Sequence, residues 1–214
     1  MYLTQCTRPD ICHAVSYLSR LNNNPSQEHW NAVKRVFRYL KETKHSKLCY
    51  RQDGNNELIA YSDADWANDV DERKSITGYV VILQSGAISW SSKKQQRVAL
   101  SSTEEEYMAM SAVTQEVVCL RELFYELVPD IPNKPTHILC DNRSAIALSS
   151  SNVYRARSKH IDVHHHFLRE KKNAKQVEYF AIKTDEMIAD SLTKATTAPK
   201  HNFCFQKLGL IIIK

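Results

Sequence analysis

The chain has 214 residues, 43% of them hydrophobic and 25% charged, with a formal net charge of +5. That suits one domain of average size plus a smaller appendage, and no apolar run approaches the roughly 20 residues that span a bilayer. The N-terminal MYLTQCTRPD lacks a signal peptide's basic start and apolar core, and the six cysteines form no CxxC pair, so zinc sites and disulfides are disfavoured and a reducing, intracellular setting is expected.

The first 50 residues read as helical. Pro9 suits a first helical turn, with DICHAVSYLSRL behind it. Pro25 and Ser26 open a second helix whose Trp30, Val33, Val36, Phe37 and Leu40 recur at helical spacing. Two such helices close no core alone and must pack on something else. The soft DGNNE at 53–57 is the expected boundary.

Strand patterns follow. ELIAYSDADWA alternates, and ITGYVVILQSGAISWSS gives two apolar runs around Gln84, Ser85 and Gly86, a hairpin signal. SSTEEEYMAMSAVTQEVVCLRELFYELV is a long helix closed by Pro129. THILC is a short strand with a helix directly after it, SKHIDVHHHFLREKKN is helical and basic, QVEYFAI is a fifth strand, and TDEMIADSLTKA is a last helix with Thr184 as its N-cap. The order predicts an α/β fold: one mixed five-stranded sheet with helices packed on it.

Acids fall where such a fold gathers ligands. Alternation puts Asp63 and Asp65 on one face of one strand, where like charges repel. The apolar stripe of the long helix runs through Ala109, Val113, Val117, Leu120, Phe124 and Leu127. Glu106 projects near its middle, Glu105 well off it and Glu104 roughly opposite. A capping box with Ser102 or Thr103 accounts for one of these acids, not for the one aimed inward. Asp141 ends a strand, at a carboxyl edge that favours ligands, but it equally suits a plain N-cap. Periodicity does not select Asp190, which lies away from the stripe of Ile188, Leu192 and Ala195; Asp185 competes as the inward acid. Four converging carboxylates would hold hard divalent cations.

Between Tyr154 and Lys175 stand seven Lys or Arg (Arg155, Arg157, Lys159, Arg169, Lys171, Lys172, Lys175) against Asp162 and Glu170, which concentrates the chain's whole excess charge. This is a polyanion footprint or, equally, a solvated helix with basic ends. His160 and His164 are spaced i, i+4, but without the Glu of HExxH or a third ligand a zinc site is disfavoured.

The motifs YSDADWA, TGYVV, GAISWSSKKQ, VALSSTEEEYMA, CDNRSAI, SKHIDVHHHFLRE and ADSLTK, in this order, together resemble the ribonuclease H region of copia-type LTR retrotransposon polyproteins. TRPDICHAVSYLSR and HWNAVKRVFRYLKETK resemble the thumb and connecting segment of the reverse transcriptase just upstream. The resemblance implies a ribonuclease H-like fold at 55–200, a helical thumb/connection remnant at 1–54 and a tail at 201–214. It implies cleavage of RNA in RNA–DNA hybrids with two Mg2+ ions, Mn2+ being the alternative. The four acids carried over are Asp63, Glu106, Asp141 and Asp190, the last resting mainly on the resemblance. Lys93, Lys94, Arg97, Asn142, Arg143, Ser144, Lys159 and His160 are candidate nucleic-acid contacts. The polymerase part of the parent polyprotein is the expected partner, in a cytoplasmic virus-like particle or the nucleus.

Three features depart from related patterns. Glu105 stands where the family has a small residue, Arg143 stands where Gln is usual, and the loop before the last helix lacks the His of many cellular ribonucleases H. No YVDD-like polymerase motif occurs in these residues. A non-catalytic nucleic-acid-binding module and an inert transposon remnant, its thumb helices left without their partner, are the alternative readings.

Overall fold

The computed structural model describes residues 1–52, 57–65, 74–96, 98–99, 101–128, 133–150 and 159–212, with side chains omitted at 159–163 and 165. Pro129, Arg97, Arg155 and Arg157, and the side chains of Lys159 and His160, therefore lie outside the description. Five strands, β2 (Ile59–Asp65), β3 (Ile76–Leu83), β4 (Gly86–Lys94), β5 (Thr136–Cys140) and β6 (Val177–Ala181), form one sheet in the order β4-β3-β2-β5-β6. The β2-β3 and β3-β4 pairs are antiparallel; β2-β5 and β5-β6 are parallel. This is the mixed α/β architecture that the element order predicts.

Each face of the sheet has its own core. On one, the long helix α4 (Ser102–Leu127) lays Tyr107, Met110, Val113 and Val117 over Ala60, Val81 and Ile138. The basic helix α6 (Lys159–Asn173) adds Leu168 to this core. On the other face, Val80 and Ala87 meet Ile188 and Leu192 from the segment containing the short helix α7 (Asp190–Thr193), Cys204 from α8 (Ala198–Lys207) and Leu208, which caps α8. Alternation along β2 thus sends Ala60 to the α4 side and Tyr61 to the α7 side.

The N-terminal helices close over this second face. α1 (Tyr2–Cys6) supplies the Thr4 carbonyl to the Trp90 indole, and α2 (Cys12–Ser19) places the Ser16 hydroxyl 2.8 Å from the Ser92 carbonyl. Ser26 caps α3 (Gln27–Glu42) in a capping box with His29. Arg8 and Asp10 form a buried ion pair at 2.7 Å, and the Tyr39 hydroxyl donates to Asp10 while lying 3.1 Å from His201 of α8. Asp10, Tyr39 and His201 thereby join the first 50 residues to the C-terminal helix.

Residues 201–214, read from sequence as a tail, contain most of α8 and the strand β7 (Leu210–Ile212). That strand pairs antiparallel with β1 (Ser46–Leu48). Local patterning misses this pair because each strand is three residues long and its partner is over 160 residues distant. TDEMIADSLTKA is likewise not one helix: a 3-10 turn at Thr184–Glu186 is followed by α7, and Lys183, not Thr184, precedes the turn as its cap.

Candidate metal centre

Parallel pairing between β2 and β5 stops at Tyr61 and Leu139. Beyond it β2 runs on to Asp65 without pairing to β5, which leaves an opening in the ladder at the carboxyl ends of the two strands, the usual ligand position in sheets of this kind. Asp63 stands on β2 at this opening and Asp141 directly follows β5. Glu106 reaches the opening from the first turns of α4, and Asp190 from α7. The four acids come from four elements and two faces of the sheet.

Asp63 is 1% exposed, Asp190 3% and Glu106 6%, so three carboxylates here are nearly dry. Burial, above all, pushes the Asp63 and Glu106 carboxyls upward; for Asp63, Lys194 and the Thr193 hydroxyl act against this and Asp190 and Asp141 reinforce it. Glu106 feels Asp63 and then Asp141 in addition to its burial. Glu106, Cys140 and Asp141 offer ligand atoms all within 4.8 Å of one another. Cys140, raised by burial and then by Glu106, is a thiol rather than a thiolate. The oxygen donors therefore suit hard cations, and a cation would relieve the repulsion that disfavours ionisation.

Neighbouring side chains aim the acids. Thr193 donates a very short hydrogen bond to Asp63 Oδ2, and Thr184 donates to Asp141 Oδ2 at 3.0 Å. Asn142, not Asp141, caps the helix α5 (Arg143–Ser150): its Oδ1 accepts from the Ser144 and Ala145 amides at 3.0 and 3.1 Å. Asp141 is thus free of the capping role that sequence alone leaves open to it.

Gly78 is a packing position beside Asp63 that the sequence pattern overlooks. It pairs with Asp63 across β2 and β3, and a Cβ there would lie 2.5 Å from Thr193 Cγ2 and 2.9 Å from Leu192 Cβ. The missing side chain lets α7 settle onto the sheet beside Asp63. The only signal in sequence is a glycine inside a strand pattern, which marks a close approach.

The structure departs from the sequence pattern at four points. Asp190 is buried, not solvent-facing, because helical periodicity does not govern a four-residue helix. Asp185, its competitor as the inward acid, is exposed. Glu104 and Glu105 are buried at 7% and 2% exposure although both lie off the apolar stripe. The segment before α4 covers them: Gln95 donates to Thr77 Oγ1 and to the Glu105 carbonyl. Burial, with a smaller contribution from Asp65, pushes Glu105 up to about 7 against a Ser75 hydrogen bond. The cap of α4 is Ser101, which accepts from the Glu104 amide, rather than Ser102 or Thr103.

The chain is 44% identical to the retrovirus-related Pol polyprotein from transposon TNT 1-94 of Nicotiana tabacum over 98% of its length. It is 38% identical to that from transposon RE2 of Arabidopsis thaliana over 96%. The chain belongs to the copia-type retrotransposon Pol polyproteins. It spans 16% of the first relative and 14% of the second. No family model matches. Among solved structures, LC11-RNase H1, isolated from compost by a metagenomic approach, superposes with a TM-score of 0.48 at 16% identity, over 65% of this chain and 94% of that one.

In this Pol segment, Lys93 is exposed and Lys94 half-buried along a groove of about 750 Å³ between β3-β4 and α4, with Thr77, Gln96, Gln115 and His164. Arg143 and Ser144 are exposed at the start of α5, next to Asp141. His164 of the HIDVHHH motif packs α6 on α4 through the Ser111 hydroxyl at 2.7 Å. Among the described residues no histidine belongs to a group of potential metal ligands, and no helix is long and apolar enough to cross a membrane.

Proposed function

We propose that this chain carries an active ribonuclease that uses divalent cations, Mg2+ or Mn2+, to hydrolyse RNA within RNA–DNA hybrids. The reading is supported by the nearness of Asp63 to Asp190 and Asp141 and of Glu106 to Asp63 and Asp141, three of these acids being nearly dry, and by the ligand atoms that Glu106 and Asp141 hold within 4.8 Å of one another. Glu106 and Asp141 would hold one cation position, Asp63 and Asp190 the other, with Asp63 beside both. Two divalent cations, when bound, activate a water and stabilise the leaving oxygen of a phosphodiester.

The chain's own groups bind and orient. Thr193 and Thr184 fix Asp63 and Asp141, so that the carboxylates need little rearrangement to meet their ligands. Lys93 and Lys94 would contact backbone phosphates, which gives a salt-dependent affinity. Discrimination of RNA from DNA would come from 2′-hydroxyl contacts near the start of α5, where Asn142, Arg143 and Ser144 stand; Lys159 and His160 would extend the contact. The polymerase part of the polyprotein is the proposed partner, and an intracellular particle or the nucleus the proposed setting.

A second reading, a non-catalytic nucleic-acid-binding module, is favoured by one observation: Lys194 and Lys200 already neutralise Asp190. Cleavage of an end-labelled hybrid, with Mg2+ and with EDTA, separates the two. The ribonuclease reading expects cleavage lost both with EDTA and in Asp141→Asn. Metal-dependent cleavage by Asp141→Asn at the wild-type rate would overturn the assigned site. Tight hybrid binding without cleavage would favour the second reading.

A further inference from the structure

The four acids are not equally supplied with positive charge. Lys194, one turn beyond Asp190, places its Nζ 2.7 Å from Asp190 Oδ1 and 3.5 Å from Asp63 Oδ2. It bridges two carboxylates from different elements, as a divalent cation would. Lys200 reaches the other Asp190 oxygen at 3.0 Å. That ammonium is also held by the Thr184 and Asp185 carbonyls at 2.7 and 2.9 Å. On the opposite side of the opening, Glu106 faces the Cys140 thiol and Asp141 the Thr184 hydroxyl; among the described residues neither carries an ion pair.

The two lysines differ in how firmly they are held. The Lys200 side chain is 19% exposed and tied by two backbone carbonyls. The Lys194 side chain is 35% exposed, and the partners recorded for its ammonium are the two carboxylates themselves. A lysine ammonium on a flexible four-carbon stem can swing to solvent and be hydrated there. Its present position neutralises a pair of acids that would otherwise repel across a dry gap.

We propose that Lys194 is a tethered stand-in cation, occupying the Asp63–Asp190 position until a divalent ion displaces it. The inference rests on the divalent-cation reading above and adds an order of loading. The first ion enters on the Glu106–Asp141 side, where among the described residues no ammonium lies within ion-pair distance, and the second must expel Lys194. Lys194 is a positioning residue here: it preserves the spacing of Asp63 and Asp190 in the metal-free protein and sets the affinity of the second ion.

The test is calorimetric titration of the whole chain with Mn2+ alone, without substrate, for wild type, Lys194→Met and Lys200→Met. Methionine keeps the length of the stem and removes the charge. The proposal expects two sites of unequal affinity in wild type. In Lys194→Met the second should tighten by about tenfold or more while the first is unchanged, since a competing unit charge close by is worth at least that factor. Lys200→Met removes an ammonium that touches only Asp190 of the four acids and is anchored by the Thr184 and Asp185 carbonyls, and should tighten the second site less than Lys194→Met does. Melting supplies a second readout: Lys194→Met should melt lower than wild type in EDTA and recover in saturating Mn2+. If Lys194→Met is unfolded in EDTA, Lys194→Gln, which keeps a donor for Asp190, replaces it in the titration. An unchanged or weaker second site in the folded variant would overturn the proposal while leaving the divalent-cation reading intact. Failure of wild type to bind Mn2+ at all would overturn both.

Discussion

Replacing Gly78 by alanine tests whether the site depends on the seating of α7. The new methyl would sit 2.5 Å from Thr193 Cγ2, 2.9 Å from Leu192 Cβ and 3.1 Å from the Leu192 carbonyl carbon. Carbon atoms prefer separations of roughly 3.5–4.0 Å, so α7 must retreat by about 1 Å. Overpacking of this size costs about 1–3 kcal/mol, offset by the roughly 0.5–1 kcal/mol that alanine gains over glycine within a strand. The expected net loss is on the order of 1–2 kcal/mol in urea unfolding. The effect on function should be larger in proportion. Thr193 and Asp190 ride on α7, and a displacement of about 1 Å at a reacting site costs on the order of 100-fold in rate. Gly86→Ala is the contrast. Its methyl would meet the Cys49 carbonyl and the Tyr50 ring at 2.7 Å, on the hairpin beside β1 and β7. It should lower stability but leave hybrid cleavage by the folded protein close to wild type. Gly78→Ala with wild-type stability and wild-type cleavage would refute the argument that this glycine admits α7.

Other expectations follow from the same geometry. Asp141→Asn should cut Mg2+-dependent cleavage by more than the roughly 10- to 100-fold typical of losing a supporting group, with an unchanged urea midpoint, since Asp141 is half-buried and its one recorded hydrogen bond is from Thr184. Asp10→Ala leaves Arg8 buried without its carboxylate and should cost about 3–5 kcal/mol in urea unfolding. Asn142→Ala should cost about 1 kcal/mol through loss of the α5 cap. The raised Asp63 and Glu106 carboxyls make the metal-free native state bind more protons than the unfolded chain. Their contribution to stability is complete below their ordinary values of 3.8 and 4.5 and is lost as pH rises through the elevated native values. Melting in EDTA should therefore show a fall with rising pH that Asp63→Asn and Glu106→Gln reduce. Mg2+ binding should strengthen as pH rises and release protons, measurable by calorimetry in buffers of different ionisation enthalpy.

Legibility in the sequence depended on the length of each element. β2, β3, β4 and α4 are long enough for period 2 or 3.6 to show, and their apolar patterns put Asp63 and Glu106 at the right elements. Asp190 could not be read this way. α7 is four residues long, and Met187, Ile188, Ala189 and Leu192 are all buried around it, so no single stripe exists to measure an acid against. Family resemblance, rather than periodicity, singled it out. The burial of Glu104 and Glu105 does not follow from the helical stripe, which describes one packing partner; the chain around Ser75 and Gln95 packs on Glu105 from another side. The β1-β7 pair and the Asp10–Tyr39–His201 contacts join the two ends of the chain, and local pattern carries no signal for such distant partners. The role of Asp141 needed coordinates: both Asp141 and Asn142 are good caps by type, and hydrogen-bond geometry assigns the cap to Asn142.

The central claim is that four carboxylates from four elements form one divalent-cation site. Anomalous diffraction from crystals of the chain soaked in Mn2+ tests it most directly. Mn2+ peaks are expected between the carboxyl ends of β2 and β5, ligated by oxygens of Asp63, Glu106, Asp141 and Asp190, with Lys194 turned away from Asp63. No Mn2+ there at saturating concentration, the Lys194 ammonium still bridging Asp63 and Asp190, would contradict the claim.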